Sequence, residues 1–319
     1  MLSASLTVSI GVFGLFHPTE LWVQPAKSEP LKVEAGASSY TLEGSRVAKF
    51  RLGHIPEARV TSSSGGPADF VLIVPGRIER RYNGVLVIHP AKSELIATIS
   101  MDLELAVASV VAAESVPDAG IEALKAQAVV ARSFYLASHH RHPAFDFCDT
   151  THCQFLRQVP APESDSFRAA ETTRGLVLFY QGSVLAALYS AVCGGHTRSL
   201  DDHDVGADRY PYFAVGCDYC LRHPANPVRG HRLGMCQQGA AGMAAEGMTF
   251  RAVLNHYYPA TALADSGTGT SQTPSKLTKK RAHLPTSNAS ALTKRGSISV
   301  GISESPLSAF ARAGRTVPS

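Results

Sequence analysis

From Leu6 to about Ser100 the chain runs in short β-branched and aromatic segments, with small or polar residues between the large ones and Gly, Pro and Ser breaking the runs. Period-two alternation puts successive side chains on opposite faces, so the pattern predicts a strand-rich region. Strands are expected over 7–12, 20–23, 31–34, 47–50, 70–74 and 84–88, among others. No convincing internal repeat is visible. Near Met101 the period changes. Residues 103–113 are mostly apolar and unbroken by Gly or Pro, which suits a buried helix ending before Pro117. A second helix follows at once, with Asp118 as its expected cap. Ile121, Leu124, Ala128, Ala131 and Tyr135 recur at three- and four-residue steps and give it one apolar face. Glu114 falls at the junction of the two.

After Cys153 strand-like pieces return. Residues 175–180 and 184–189, joined by Gln181-Gly182-Ser183, predict a hairpin. From 264 onward Ser, Thr, Lys and Arg dominate, and too few large apolar residues remain to offset the entropy of ordering. The expected class is therefore α+β. A β-rich region over 1–100 leads into a mixed α/β region over 101–263, and a disordered basic tail covers 264–319.

Composition changes this picture little, but charge narrows it. The 319 residues are 45% hydrophobic and 18% charged, enough for one large or two modest domains. The net charge of +4 resides in the end of the chain, where eight Lys/Arg face only Asp265 and Glu304. The body is slightly acidic and has no basic stripe interleaved with aromatics, which excludes a nucleic-acid role. No run of about 18 apolar residues occurs, so no transmembrane helix is expected. The apolar start up to Phe16 lacks Lys or Arg ahead of it and a small-x-small cleavage site, so it reads as a strand. An export signal then either lies upstream or is not encoded.

Several segments carry chemistry in a fixed order. They are Val110-Val111-Ala112-Ala113-Glu114, the run from Glu122 to Phe134, Asp149-Thr150-Thr151-His152-Cys153-Gln154, the run from Tyr189 to Thr197, the run from Gly234 to Ala240, and His256-Tyr257-Tyr258-Pro259. In this order they resemble the SpoIID/LytB family of stage II sporulation protein D and amidase enhancer, over about half the chain. The resemblance implies lytic transglycosylation of peptidoglycan in the cell envelope or outside the cell, with Glu114 as the acid/base. One carboxyl group suffices for that reaction, because a sugar hydroxyl is the nucleophile and the same Glu serves first as acid and then as base, whereas an ordinary glycosidase needs two. Apolar Val110, Val111, Ala112 and Ala113 are expected to dry the carboxyl group and raise its pKa. The family also implies a rival role, a non-catalytic amidase enhancer that binds peptidoglycan or a cell-wall amidase. A structural zinc protein with no wall contact is a third reading, though it leaves the groove motifs unexplained.

Substrate contacts are expected from Lys125, Gln127 and Arg132 on the polar side of the second helix, with a solvated helix face as the other reading for Lys125. Tyr189, Ser190, Gly194, Gly195, His231 and Gln237 join them through the motifs. Relatives usually read Gly-His-Gly-x-Gly-Met-Ser-Gln where this chain has Gly230-His231-Arg232-Leu233-Gly234-Met235-Cys236-Gln237. Arg232 thus replaces a glycine and Cys236 a hydroxyl, and both changes bear on the groove.

The six cysteines fit either metal ligation or disulfides. His142, Cys148, His152 and Cys153 bring four zinc-type ligands within a dozen residues, and the family resemblance supports zinc there. A Cys148–Cys153 disulfide is the alternative. Cys193, His196, Cys217 and Cys220 form a second candidate zinc set with paired two-residue spacings.

Overall fold

The computed structural model describes residues 6–200, 210–224, 228 and 230–267. Strands β1 (Thr7–Val12), β2 (Glu20–Pro25), β3 (Leu31–Ala35), β4 (Ser38–Leu42), β5 (Ala48–Arg51), β6 (Ala58–Ser62), β7 (Ala68–Val74), β8 (Ile78–Pro90) and β9 (Leu95–Asp102) come first. Alternate burial runs along them: Phe70, Leu72 and Val74 of β7 and Leu95, Ala97, Ile99 and Met101 of β9 all point inward. Strand β8 is longer than its sequence pattern suggests because two sheets share it. Its first half, Ile78–Gly84, pairs with β7, which pairs onward with β2 and then β5. Its second half lies between β6 and β9. The halves meet at Gly84, whose φ is +154° and where a Cβ would lie 2.5 Å from the Ser100 carbonyl oxygen. Only glycine permits that approach.

Strand β9 runs directly into α1 (Leu103–Glu114). Asp102 caps the helix, its carboxylate accepting from the Glu104 and Leu105 N–H groups at 2.9 and 3.1 Å. The second helix, α2 (Ile121–Ala137), is capped by Gly120 and not by Asp118. Asp118 instead sits in the interhelical turn at φ 58°, too early to reach the first turn of α2. The helix also has two apolar faces rather than one. Leu124, Ala128, Ala131 and Tyr135 join the core shared with α1 and the strands, whereas Ala123, Ala126, Val129 and Val130 face a second core containing Tyr257 and Tyr258. It forms the partition between the two.

Beyond α2 come β10 (Phe147–Cys148), α3 (Asp165–Thr172), β11 (Leu176–Tyr180), β12 (Ser183–Val184), β13 (Tyr189–Ser190), α4 (Asp218–Arg222), β14 (Met235–Cys236), α5 (Gln237–Ala245), α6 (Phe250–Tyr257) and β15 (Ala262–Asp265). The expected hairpin forms at its tip, where Phe179 and Tyr180 pair with Val184 and Ser183, but its second arm then leaves. The arm departs because other partners claim its carbonyls: Tyr212 Oη donates to Ala186, and Tyr258 Oη donates to Leu188 at 2.6 Å. Tyr189 and Ser190 pair in parallel with Met235 and Cys236 instead. Strand β10 pairs with β1, so the chain after the helices completes the first sheet. The fold is α+β, as expected. Strand β15 carries ordered pairing to Asp265, past the expected boundary at 263, and residues 268–319 of the expected tail lie outside the described residues.

Candidate active site

Glu114 is the last residue of α1, and its side chain opens into a cavity of about 280 Å3. Phe134 of α2, Cys153, Leu188, Tyr189, Ser190, His231 and Gln237 contribute to the walls, and Glu114 is the one carboxylate among the described lining residues. Burial pushes its carboxyl group above the usual glutamate range, against the Phe155 N–H and the Tyr189 hydroxyl, which hydrogen-bond it and favour the anion. The raised pKa matches the sequence expectation, but its source differs. Val110 and Val111 point into the protein core and do not line the cavity; residues distant in sequence do the drying.

The groove residues come from converging segments. The single Tyr189 hydroxyl proton is shared between Glu114 and Gln154 Oε1, which lies 3.1 Å away, and Gln154 Nε2 donates to the Ala131 carbonyl at 3.1 Å, which ties the 149–155 loop to α2. Gln237, opening α5, donates from Nε2 to the Glu114 carbonyl at 3.0 Å. The Ser190 hydroxyl is buried and has no hydrogen-bond partner among the described residues. His231 Nδ1 accepts from the Leu233 N–H at 3.0 Å, and burial lowers its pKa, which leaves a neutral ring with its proton on Nε2. Asp149, buried beneath this loop, accepts from the Phe13 N–H at 3.2 Å and pairs with Arg80 at 3.1 Å. Gln154, Phe155 and Phe134 were not singled out from sequence as site residues, although Gln154 closes one of the motifs and Phe134 another.

Other expected contacts fall elsewhere. Arg132 is 0% exposed. It donates from Nε to Glu104 Oε1 at 2.9 Å, from Nη1 to the Leu176 carbonyl and from Nη2 to the Ala170 carbonyl, both at 3.1 Å, so its donors serve the core and not a sugar. Lys125 pairs with Glu122 at 2.6 Å, half-buried beside Phe250 and outside the cavity lining. Gln127 is buried behind Gln237, accepting from it at 3.3 Å. Gly194 and Gly195 form a turn with φ 71° and 109° outside the cavity lining. Arg232 keeps the left-handed backbone that a glycine would take, at φ 65°, while its guanidinium donates to the His196 carbonyl at 2.9 Å and stays out of the cavity lining.

Beside Glu114 stand His142, Cys148, His152 and Cys153, with ligand atoms within 4.8 Å of one another. His142 Nε2 lies 3.3 Å from Cys153 Sγ, and His152 Nδ1 lies 3.6 Å from the same sulfur. Both sulfurs are free thiols, so the alternative Cys148–Cys153 disulfide is not formed. The group could hold a metal ion. It immediately precedes Gln154 and Phe155, the residues that hold Tyr189 and Glu114.

Residues 91–180, which include Glu114 and this His/Cys group, match the sequence model of the SpoIID family, described as Stage II sporulation protein. Over these residues the chain is similar to SpoIID. It is also 34% identical over 124 residues to an uncharacterized protein of Brachyspira hyodysenteriae, covering 38% of this chain and 34% of that one, so it spans about a third of that relative's length. Similarity of this segment to SpoIID is consistent with a cell-wall-related sporulation function. Among the described residues no helix is long and apolar enough to cross a membrane.

A second ligand group lies beyond the matched SpoIID segment, and it corrects the sequence expectation. Cys193, Cys217, Cys220 and Cys236 are buried with their sulfurs within 4.8 Å of one another. His196 is not among them: its side chain is exposed and its backbone bridges Gly216. Cys236 takes its place, so this cysteine faces the thiol cluster instead of the groove. Spacing along the chain could not show that choice, since Cys236 arrives through the long-range pairing of β13 with β14.

Proposed function

We propose that this SpoIID-like domain cleaves the glycan strands of peptidoglycan in the cell envelope as a lytic transglycosylase, with Glu114 as its single acid/base. The observation that supports this reading is a desolvated carboxyl group in a cavity with no second carboxylate among the described residues that line it. A glycosidase that activates water or forms a covalent intermediate needs two carboxyl groups about 5–9 Å apart. Here the neutral Glu114 donates its proton to the glycosidic oxygen as the C1–O bond breaks. The resulting carboxylate then takes the proton from the C6 hydroxyl of the same sugar as that oxygen bonds to C1. The products are a free hydroxyl end and a 1,6-anhydro sugar, no water is consumed, and the proton on Glu114 is restored.

Ser190, His231 and Gln237 line the cavity and are the proposed sugar contacts, with Tyr189 holding the acid. Zinc suits the two-His, two-Cys group beside the cavity, as soft and borderline donors at this spacing favour it. Bound there, the ion would hold the 148–155 loop, and with it the Phe155 N–H on Glu114; the proton transfers stay with Glu114.

The test is incubation of the full chain with glycan strands stripped of stem peptides, followed by mass spectrometry. Anhydro-sugar ends should appear with the wild type and fall by roughly 10²–10⁴ with Glu114→Gln. If the wild type releases none yet accelerates an added cell-wall amidase, the transglycosylase reading is lost and the protein is an amidase enhancer.

A further inference from the structure

We propose that Cys193, Cys217, Cys220 and Cys236 form a closed structural zinc site that braces the back of the groove, separate from the His/Cys group beside Glu114. The four sulfurs come from distant segments: the turn after β13, the cap and third residue of α4, and the junction of β14 with α5. All four are buried free thiols within 4.8 Å of one another, and Cys220 Sγ lies 3.5 Å from Cys236 Sγ. A tetrahedral Zn2+ with Zn–S bonds of about 2.3 Å has S···S edges of about 3.8 Å. The 3.5 Å pair lies slightly inside that value, and the 4.8 Å limit on the remaining pairs is compatible with it.

The surroundings suit thiolates. The Gly239 N–H points at Cys236 Sγ at 3.4 Å and the Tyr257 hydroxyl at Cys217 Sγ at 3.5 Å, donors of the kind that orient and stabilise metal-bound sulfur. Space is made for them by Gly239, where a Cβ would lie 2.5 Å from Cys217 Sγ and 2.0 Å from Tyr257 Oη. Four protein sulfurs leave no open coordination position, which marks a structural rather than catalytic ion.

The site reaches the groove through two short links. Cys236 pairs with Ser190 across the β13–β14 ladder, and it directly precedes Gln237, which holds the Glu114 carbonyl. Where relatives have a serine in this motif, the cysteine of this chain gives its side chain to the metal cluster behind the groove.

The decisive measurement is zinc content with zinc-edge X-ray absorption on the full chain purified from zinc-supplemented culture. Two zinc ions per chain are expected, averaging three sulfurs and one nitrogen each, and Cys236→Ser should carry one, with two sulfurs and two nitrogens. Wild-type protein that holds a single zinc with two sulfurs and two nitrogens overturns the proposal. So does an intact mass lower by four hydrogens, from two disulfides among these cysteines. Should Cys236→Ser not fold, the wild-type stoichiometry and ligation still decide. None of these readouts depends on glycan cleavage.

Discussion

The carboxyl group of Glu114 is dried by Phe134, Leu188 and Tyr189, none of which adjoins it in the chain. The proximity of Glu114 to two helices could be read from the apolar period ending at Pro117, but the drying could not, because the wall residues are brought in by tertiary packing. Two consequences follow for the side chain. The folded pKa lies above the unfolded one, so between them the folded state keeps a proton that the unfolded chain has lost, and stability falls as pH rises through that window. Glu114→Gln carries no such cost. Its melting temperature should exceed that of the wild type at neutral pH and converge on it below about pH 4, a comparison that calorimetry at two pH values makes directly. A constant gap would mean that the carboxyl group is not desolvated. Tyr189→Phe removes a hydroxyl that favours the anion. The alkaline limb of the pH–rate profile for anhydro-sugar release should therefore move to higher pH, and a shift the other way would rule out Tyr189 as the partner of the acid.

Helix α2 shows what an element's sequence can and cannot disclose. Its i, i+3, i+4 apolar face was legible, and so was its place directly after α1. The second face was not, because Ala123, Ala126, Val129 and Val130 read as filler until Tyr257 and Tyr258 pack on them. Arg132 was misread for the same reason: on a helix with one apolar face it would be a solvated cation, whereas on a partition helix it must be paired. It meets Glu104 of α1 in the interior, with carbonyls of α3 and β11 completing its bonds. Removing one member of such a pair strands a buried charge, at about 3–5 kcal/mol. Chemical denaturation of Arg132→Met should show that loss. Glu104→Leu with Arg132→Met should recover most of it, because both charges then leave together. The surviving folded fraction of the single variant should bind glycan strands as the wild type does, since no donor of Arg132 reaches the cavity. Weakened binding by folded protein would restore it to the groove.

At the scale of the molecule, the expected division at residue 100 does not coincide with a break in packing. Strand β9 ends in the residue that caps α1, β10 completes the sheet begun by β1, and one hydrophobic cluster runs from Val8 through Val110 to Ala170. The two regions were separable in sequence because their periods differ, two before Met101 and 3.6 after it. Periodicity describes how each segment packs locally and carries no information on whether two segments share a core. The arrangement of the chain offers a clean test, for its single tryptophan, Trp22, lies in β2, whereas the described α-helices all follow Leu103. Tryptophan fluorescence thus follows the strands, and far-ultraviolet dichroism is dominated by the helices. A shared core requires one cooperative transition, so both signals should change at the same temperature and the same denaturant midpoint. Residues 1–100 expressed alone should remain unfolded, because Ala106, Val107 and Val110 of α1, which share one core with Ile10, Ala97 and Ile99, would be missing. Separated transitions, or a folded 1–100 fragment, would show that the strands form a domain of their own and that the Glu114 cavity is held by the helical part alone.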